Sequence, residues 1–151
     1  MSDSSAIRLI TEPLYAWRVW LGIWRTVELR GTAWGGGLPC SLWPWDKAQE
    51  AVHWDMTKRE TAPWAVLCVR CCSPHHTPCG LYGMKDLRHL LLSSGLFAIS
   101  VESAVIGITA LWGRYATHET GYRAQYGYPL VIPEPYATQY NVFPLITAPS
   151  G

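Results

Sequence analysis

The stretch LWGRYATHETGYRAQYGYP, Leu111 to Pro129, carries the pattern that decides the fold. Strand-like segments lie on either side of the corner Glu119-Thr120-Gly121, and this arrangement is typical of two antiparallel strands joined by a tight reversal. We expect Gly121 to supply the positive φ that such a corner requires. The stretch therefore predicts a hairpin with its turn at residues 119–121.

The second strand of this hairpin is expected to have two different faces, because successive side chains of a strand point in opposite directions. An aromatic face is expected to lie against the core or a partner, and a polar face is expected to point outward. The aromatic face comprises Tyr122, Ala124, Tyr126 and Tyr128, and the polar face comprises Arg123, Gln125 and Gly127.

Similar alternation appears earlier in the chain, on both sides of Gly22. It predicts another hairpin, with strands at about 14–21 and 24–30. A buried strand is expected at 62–70, and the strand-like pattern returns from Ala98 onward. The segment 46–56 fits either a helical turn or a short strand. Prolines at 133, 135, 144 and 149 predict an extended C-terminal tail that covers the domain.

One helix is predicted, at 85–94, with leucines 87, 90 and 91 on one side. Asp86 lies near its positive end, and Gly95 ends it. Together these elements predict a single α+β domain, mainly an antiparallel curled sheet or partial barrel with this short helix packed on one face. The expected boundaries are a flexible N-terminus at 1–11, the domain at 12–145 and a flexible tail at 146–151.

The composition favours an interaction surface over a polyanion-binding protein. Of 151 residues, 15% are charged and the net charge is +1, so no overall field draws the chain to nucleic acid or an anionic membrane. Nine tryptophans and eight tyrosines are expected to place aromatic side chains at the surface.

Cysteine usage and the N-terminus favour a cytoplasmic location. Five cysteines, an odd number, do not suit a disulfide framework. No basic start followed by an apolar run is present, so a secretory signal is not expected. The apolar stretch from Leu90 to Trp112 is not expected to span a membrane, because residues 93–95 interrupt it and Glu102 would lie near the bilayer centre.

Five short motifs follow one another along the chain: Cys79 to Gly83, Ile106 to Arg114, His118-Glu119, Gly121 to Ala124, and Tyr128-Pro129. They resemble a pattern of uncharacterised small proteins of actinobacteria and their phages, which read CxCGIYA and then VxGxVxLWGRVxxHExGYRAxxAYP. The resemblance covers about residues 77–130 and implies a shared fold without a known activity. Thr77 replaces the first cysteine of CxC, so a role that needs both thiols does not carry over.

The segment CVRCCSPHHTPC, 68–79, concentrates thiols and imidazoles. Spacings of C-x2-C and C-x3-H make Cys68, Cys71, His75 and Cys79 candidate ligands of a tetrahedral zinc ion. The alternative is a set of core cysteines beside exposed histidines, because buried thiols behave as small hydrophobes. The compressed spacing favours this alternative, so no cofactor is expected.

His118 and Glu119 are the weak candidates for catalysis. Adjacent residues of a strand face opposite ways, so these two are not expected to act together on one substrate. A zinc-protease HExxH motif is excluded, because Tyr122 stands where the second histidine is required. A cross-strand contact of His118 with Arg123 or Tyr122 remains expected.

Candidate binding residues are Trp112, Arg114, His118, Tyr122 and Arg123, which would form a stacking and cation–π platform for a base, a nucleotide or a peptide. Low charge and the lack of a coherent catalytic constellation favour a non-enzymatic cytoplasmic binding or regulatory protein. It would be encoded by a phage or prophage and would act on a host protein. A nucleotide- or RNA-binding module is the alternative, and an enzyme centred on His118 and Glu119 comes third. The segment RTVELRG, 25–31, is similar to the GxKTxExR signature of the RNA-binding ASCH domains, with its spacing from Gly22 off by one.

Overall fold

The structure is a computed structural model that describes residues 8–23, 25–31, 42–55, 60–63, 80–92 and 104–146. Within these ranges the strands are β1 (Arg8–Ile23), β2 (Glu28–Arg30), β3 (Leu42–Trp43), β4 (Gln49–Glu50), β5 (Val52–Asp55), β6 (Glu60–Pro63), β7 (Leu81–Met84), β8 (Ala104–Thr117), β9 (Gly121–Ile132) and β10 (Phe143–Pro144). The helices are α1 (Leu87–Leu92) and α2 (Tyr136–Tyr140).

Several expectations can be placed on these elements. The segment 46–56 contains strands β4 and β5, so the strand interpretation is the right one. β6 covers only the start of the strand expected at 62–70, and residues 64–70 lie outside the described ranges. β1 begins at Arg8, within the segment expected to be flexible.

The long strands β1, β8 and β9 form the centre of the fold. β8 and β9 are the predicted hairpin, and β1 pairs antiparallel with β8 along most of its length. β7 then pairs antiparallel with β9 on one side and, at Trp17↔Met84, with β1 on the other. Four strands thus close a ring of pairings, and the predicted curled antiparallel sheet is confirmed.

Gly121 has a different role from the predicted one. The expected positive φ at Gly121 is wrong, since the described glycines with positive φ are Gly80 and Gly113. A Cβ on Gly121 would instead meet the carbonyl oxygen of Gly83 on β7. Gly121 therefore allows β9 to approach β7 closely, while Gly113 lies at an irregularity in the β8–β9 pairing.

The first hairpin reverses later than predicted. Gly22 lies inside β1, paired with Leu29 of β2, and the reversal occupies residues 25–27, where Val27 has a φ of 53°. A Cβ on Gly22 would meet the hydroxyl group of Tyr136. Gly22 therefore makes room for α2, rather than forming a turn.

The predicted helix is present as α1. The Asp86 carboxylate accepts a hydrogen bond from the His89 backbone N–H at 2.8 Å and contacts His89 Nδ1 at 2.7 Å, so it caps the first turn. Leu90 is buried against the sheet, whereas Leu91 is 42% exposed. The leucine face is therefore narrower than the sequence indicated.

The C-terminal segment is not simply extended, because it contains the unpredicted helix α2. Tyr136, Ala137 and Tyr140 are buried, and Glu134 accepts hydrogen bonds from the backbone N–H and the hydroxyl of Thr138. β10 then returns parallel to β9. No helix in the described part of the chain is long and apolar enough to cross a membrane.

A buried cation lies at the centre of the ring. The Arg18 guanidinium carbon is 4.6 Å from the ring centroid of Trp43 and 5.9 Å from that of Trp20. Its Nη1 donates to the Tyr82 carbonyl at 2.7 Å, while Nε has no hydrogen-bond partner among the described residues. Burial lowers the pKa of Arg18 to about 10. Indole faces offset part of the desolvation cost, and the contact joins β1, β3 and β7.

Tyr140 links α2 to two strands of the core. Its hydroxyl donates to the Trp43 carbonyl at 2.6 Å and accepts from the Leu29 backbone N–H at 2.9 Å. Burial raises the pKa of Tyr140 to about 12. Because β2 and β3 are short, this hydroxyl satisfies backbone groups at their junction.

Replacing Tyr140 with Phe tests this bridge. We expect Tyr140→Phe to lower the free energy of unfolding by about 2 kcal/mol, because it leaves two buried backbone groups without partners. Tyr115→Phe is the matched control, since the Tyr115 hydroxyl makes no hydrogen bond to the described residues; its effect should stay within about 0.5 kcal/mol. Urea denaturation measures both, and equal losses would contradict the assigned role of Tyr140.

Candidate functional site

Strand β9 does not divide into an aromatic inner face and a polar outer face. Arg123, which was predicted to point outward, is only 3% exposed. This part of β9 pairs on both sides, with Arg123 opposite Tyr82 of β7 and Ala116 of β8. The arginine therefore lies inside a continuous sheet, where the sequence pattern of one hairpin indicated an exposed strand.

A cleft of about 250 Å³ opens beside the hairpin turn. Its lining comprises Tyr82, Met84, His118, Thr120 and Gly121. The Lys85 backbone N–H donates to the Thr120 carbonyl at 2.9 Å, and Met84 pairs with Gly121. These backbone contacts fix the end of β7 against the turn, so the walls of the cleft are formed by β7 and the β8–β9 turn.

His118 lies in this cleft and is engaged by Arg123. The Arg123 Nε donates to His118 Nε2 at 3.0 Å, which is one of the two cross-strand contacts expected from the sequence. Burial lowers the pKa of His118, and the positive charges of Arg123 and Lys85 lower it further. His118 is therefore neutral near pH 7, with its ring proton on Nδ1.

This contact decides what His118 can do chemically. A neutral imidazole has one lone pair in the ring plane, and the Arg123 N–H occupies it. Taking up a proton would break that hydrogen bond and add a positive charge beside Arg123, so His118 is poorly suited to act as a general base. Its Nδ1–H remains as a hydrogen-bond donor. Glu119 is exposed and is not among the residues that line the cleft.

The predicted platform residues of β8 lie away from the cleft. Trp112 stacks on Tyr126, with ring centroids 6.1 Å apart and an angle of 25° between the planes. Arg114 is exposed at the irregularity of β8, where its backbone N–H donates to Gln125 Oε1 at 3.2 Å. Trp112 and Arg114 therefore make separate contacts, the Trp112 ring with Tyr126 and the Arg114 backbone with Gln125.

Tyr122 also has a different neighbour from the one expected. The Lys85 ammonium lies 5.5 Å from its ring centroid. The cation–π contacts found among the described residues place Arg18 over Trp20 and Trp43, and Lys85 over Tyr122. Of the five candidate binding residues, the structure brings together only His118 and Arg123.

A second surface lies on the side of the central sheet that faces away from Arg18. The inward positions of β8, such as Val105, Thr109 and Leu111, are buried, whereas the outward positions are partly exposed. We call the following set the outer face: Tyr15, Trp17, Ile106, Ile108, Ala110, Trp112, Tyr126, Val131 and Phe143. All nine side chains are uncharged and largely apolar, although antiparallel sheets with a solvated face are ordinarily polar there.

Sequence reasoning missed both surfaces for identifiable reasons. Tyr82, Met84 and Thr120 reach the cleft only through the β7–β9 register, which no local pattern reveals. The outer face did have a signal: AVIGITALW, residues 104–112, is apolar at almost every position, and such runs are typical of strands covered on both sides.

The candidate zinc ligands Cys68, Cys71, His75 and Cys79 lie outside the described residues. Within the described ranges, no three His, Cys, Asp or Glu side chains come together in a group that could hold a metal ion. The zinc hypothesis for the 68–79 segment is therefore untested.

Comparisons with known proteins leave the family open. No protein-family model matches the chain, and neither the curated proteins nor the solved structures include a significant match. The resemblance to small actinobacterial and actinophage proteins therefore stays a prediction.

The lowered pKa of His118 predicts a pH dependence of stability. Below its ordinary pKa of 6.5, the unfolded chain takes up a proton that the folded chain accepts only at lower pH. The free energy of unfolding should therefore decrease as the pH falls below about 6.5. Above that pH, His118 is neutral in both states and contributes no slope.

Denaturation at a series of pH values between about 7.5 and 5 measures this slope. His118→Gln keeps an acceptor for Arg123 without the titrating ring, and we expect it to flatten the decrease. His89→Gln is the matched control, because His89 is an exposed histidine paired with Asp86. A wild-type slope that His118→Gln leaves unchanged would show that His118 does not resist protonation.

Proposed function

We propose that this chain is a non-enzymatic binding protein whose outer face docks on a partner protein. The observation that supports this proposal is the apolar character of the outer face, where Tyr15 is 59% exposed and Phe143 is 66% exposed. Contiguous apolar surface on a folded protein marks interaction sites, and tryptophan and tyrosine are enriched among residues that dominate binding energy. The low overall charge of the chain points the same way.

The chemistry of the outer face restricts the partner. Its nine side chains carry no charge, and the exposed Glu50, opposite Tyr126, is a charged neighbour at its edge. Away from that edge, a charged partner surface would lose its hydration without gaining an ion pair. A flat, uncharged and largely apolar protein surface is the complementary partner. Strand addition at the neighbouring edge is disfavoured, because β10 has only two residues and one of them, Pro144, has no N–H to donate.

The state of His118 supports the non-enzymatic part of the proposal. Arg123 occupies its acceptor nitrogen, and Glu119 lies outside the cleft. A general base needs a free lone pair directed at a substrate proton. The pair His118 and Glu119, which suggested catalysis in the sequence, is therefore better suited to binding.

The proposal also keeps a regulatory role in the cytoplasm, with a host protein as the target of a phage- or prophage-encoded chain. The odd cysteine count and the sequence resemblance support this part. Recognition of a base or nucleotide by the predicted platform has less support, since Trp112 is already stacked on Tyr126 and Arg114 lies apart.

Charge placed on the outer face tests the docking proposal. The full chain is immobilised and exposed to an actinobacterial lysate, and proteins that bind saturably are quantified for wild type, Ile108→Glu and Leu91→Glu. We expect Ile108→Glu to weaken capture of a specific partner by at least about tenfold, because a carboxylate would be desolvated at the interface.

Leu91→Glu is the matched control, since Leu91 is an exposed apolar residue of α1 that is not one of the nine outer-face residues. It should retain the partner, and far-UV spectra should show both variants folded. The docking proposal fails if Ile108→Glu captures the same proteins with the same affinity as wild type. It also fails if the protein lost by Ile108→Glu is lost equally by Leu91→Glu.

A further inference from the structure

We propose that the cleft beside the hairpin turn is a second binding site, which takes an oxyanion, either phosphate or carboxylate, carried on a small apolar group. This site is built from β7 and the β8–β9 turn and does not depend on the outer face. Among the described residues, its lining combines hydrogen-bond donors with apolar side chains and contains no carboxylate.

The donors are fixed by contacts behind them. Because His118 Nε2 accepts from Arg123, the ring proton is on Nδ1, and that N–H makes no hydrogen bond to the described residues. The Thr120 hydroxyl likewise has no partner among the described residues, while its backbone carbonyl is fixed by Lys85. Two residues that line one small cleft thus carry donors without acceptors among the described residues.

The charges around the cleft select the sign of the ligand. Arg123 donates a hydrogen bond to His118, and the Lys85 ammonium lies over the Tyr122 ring. Both cations are close enough to the His118 imidazole to disfavour its protonation. The closest acid in sequence to Lys85 is Asp86, which is engaged by His89. Oxyanions accept hydrogen bonds from such donors and are stabilised by the neighbouring cations.

The remaining lining selects the group that carries the oxyanion. Met84 and the ring of Tyr82 present apolar surface in the same cleft, and a volume of about 250 Å³ admits only a small molecule or one side chain. The fitting ligand is therefore an anion on a compact apolar group, such as an aryl phosphate or an aryl carboxylate.

Titration of the full-length isotope-labelled protein tests this inference. The probes are inorganic phosphate, phenyl phosphate, benzoate and the neutral benzamide, and the readout is the NMR signal of the His118 ring and of the Thr120 and Gly121 amides. We expect phenyl phosphate or benzoate to shift these signals saturably, with benzamide at least about tenfold weaker, because it lacks the charge. Phenyl phosphate and benzoate distinguish the two oxyanion classes, and inorganic phosphate shows the contribution of the aryl group.

Lys85→Gln should weaken anion binding by about fivefold, and Lys85→Arg should restore it. Arg88→Gln is the matched control, because it removes one positive charge from an exposed position of α1. Benzamide binding as tightly as the anions would overturn the inference, as would equal effects of Lys85→Gln and Arg88→Gln. Absence of any saturable shift at the cleft would also overturn it and would leave the outer-face proposal intact, since that surface is tested separately.

Discussion

Closure of the sheet through β7 is the constraint on which the rest of the structure depends. Four residues, Leu81–Met84, join β9 to β1 and turn an open sheet into a ring of pairings. Gly121 allows the approach, since a Cβ there would meet the Gly83 carbonyl. Arg18 spans the same junction by donating to the Tyr82 carbonyl. Once β7 is in place, Arg123 is enclosed, and its Nε is directed at His118.

This closure explains why we propose a binding cleft rather than a catalytic pair beside the hairpin turn. His118 has its acceptor nitrogen occupied and keeps a single donor, and the cations around it oppose protonation. Meanwhile the outward side of β1 and β8 stays partly exposed although its side chains are apolar. The enclosed Arg123 and the apolar strand surface therefore lie next to the two surfaces that we propose to bind.

The sequence predicted those parts of the fold that depend on local patterns. Alternation located the β8–β9 hairpin, and leucine spacing with Asp86 located α1. It could not distinguish a glycine needed for a turn from one needed for close approach, as Gly22 and Gly121 show, because that depends on which distant strand lies opposite. Because prolines surround α2, the sequence predicted an extended segment and not this helix, whose tyrosines are buried. The His118–Arg123 contact was predictable from the hairpin, whereas Tyr82 and Met84 were not, because β7 register is set by long-range pairing.

The protonation of the His118 ring is the feature from which both the non-enzymatic assignment and the anion cleft follow. Nitrogen NMR of the folded, ligand-free protein near neutral pH reads it directly, because protonated and unprotonated ring nitrogens resonate in separate regions. The Arg123 contact at 3.0 Å predicts an unprotonated, hydrogen-bonded Nε2 and a protonated Nδ1. An imidazolium at that pH, or a proton on Nε2 with Nδ1 free, would contradict it.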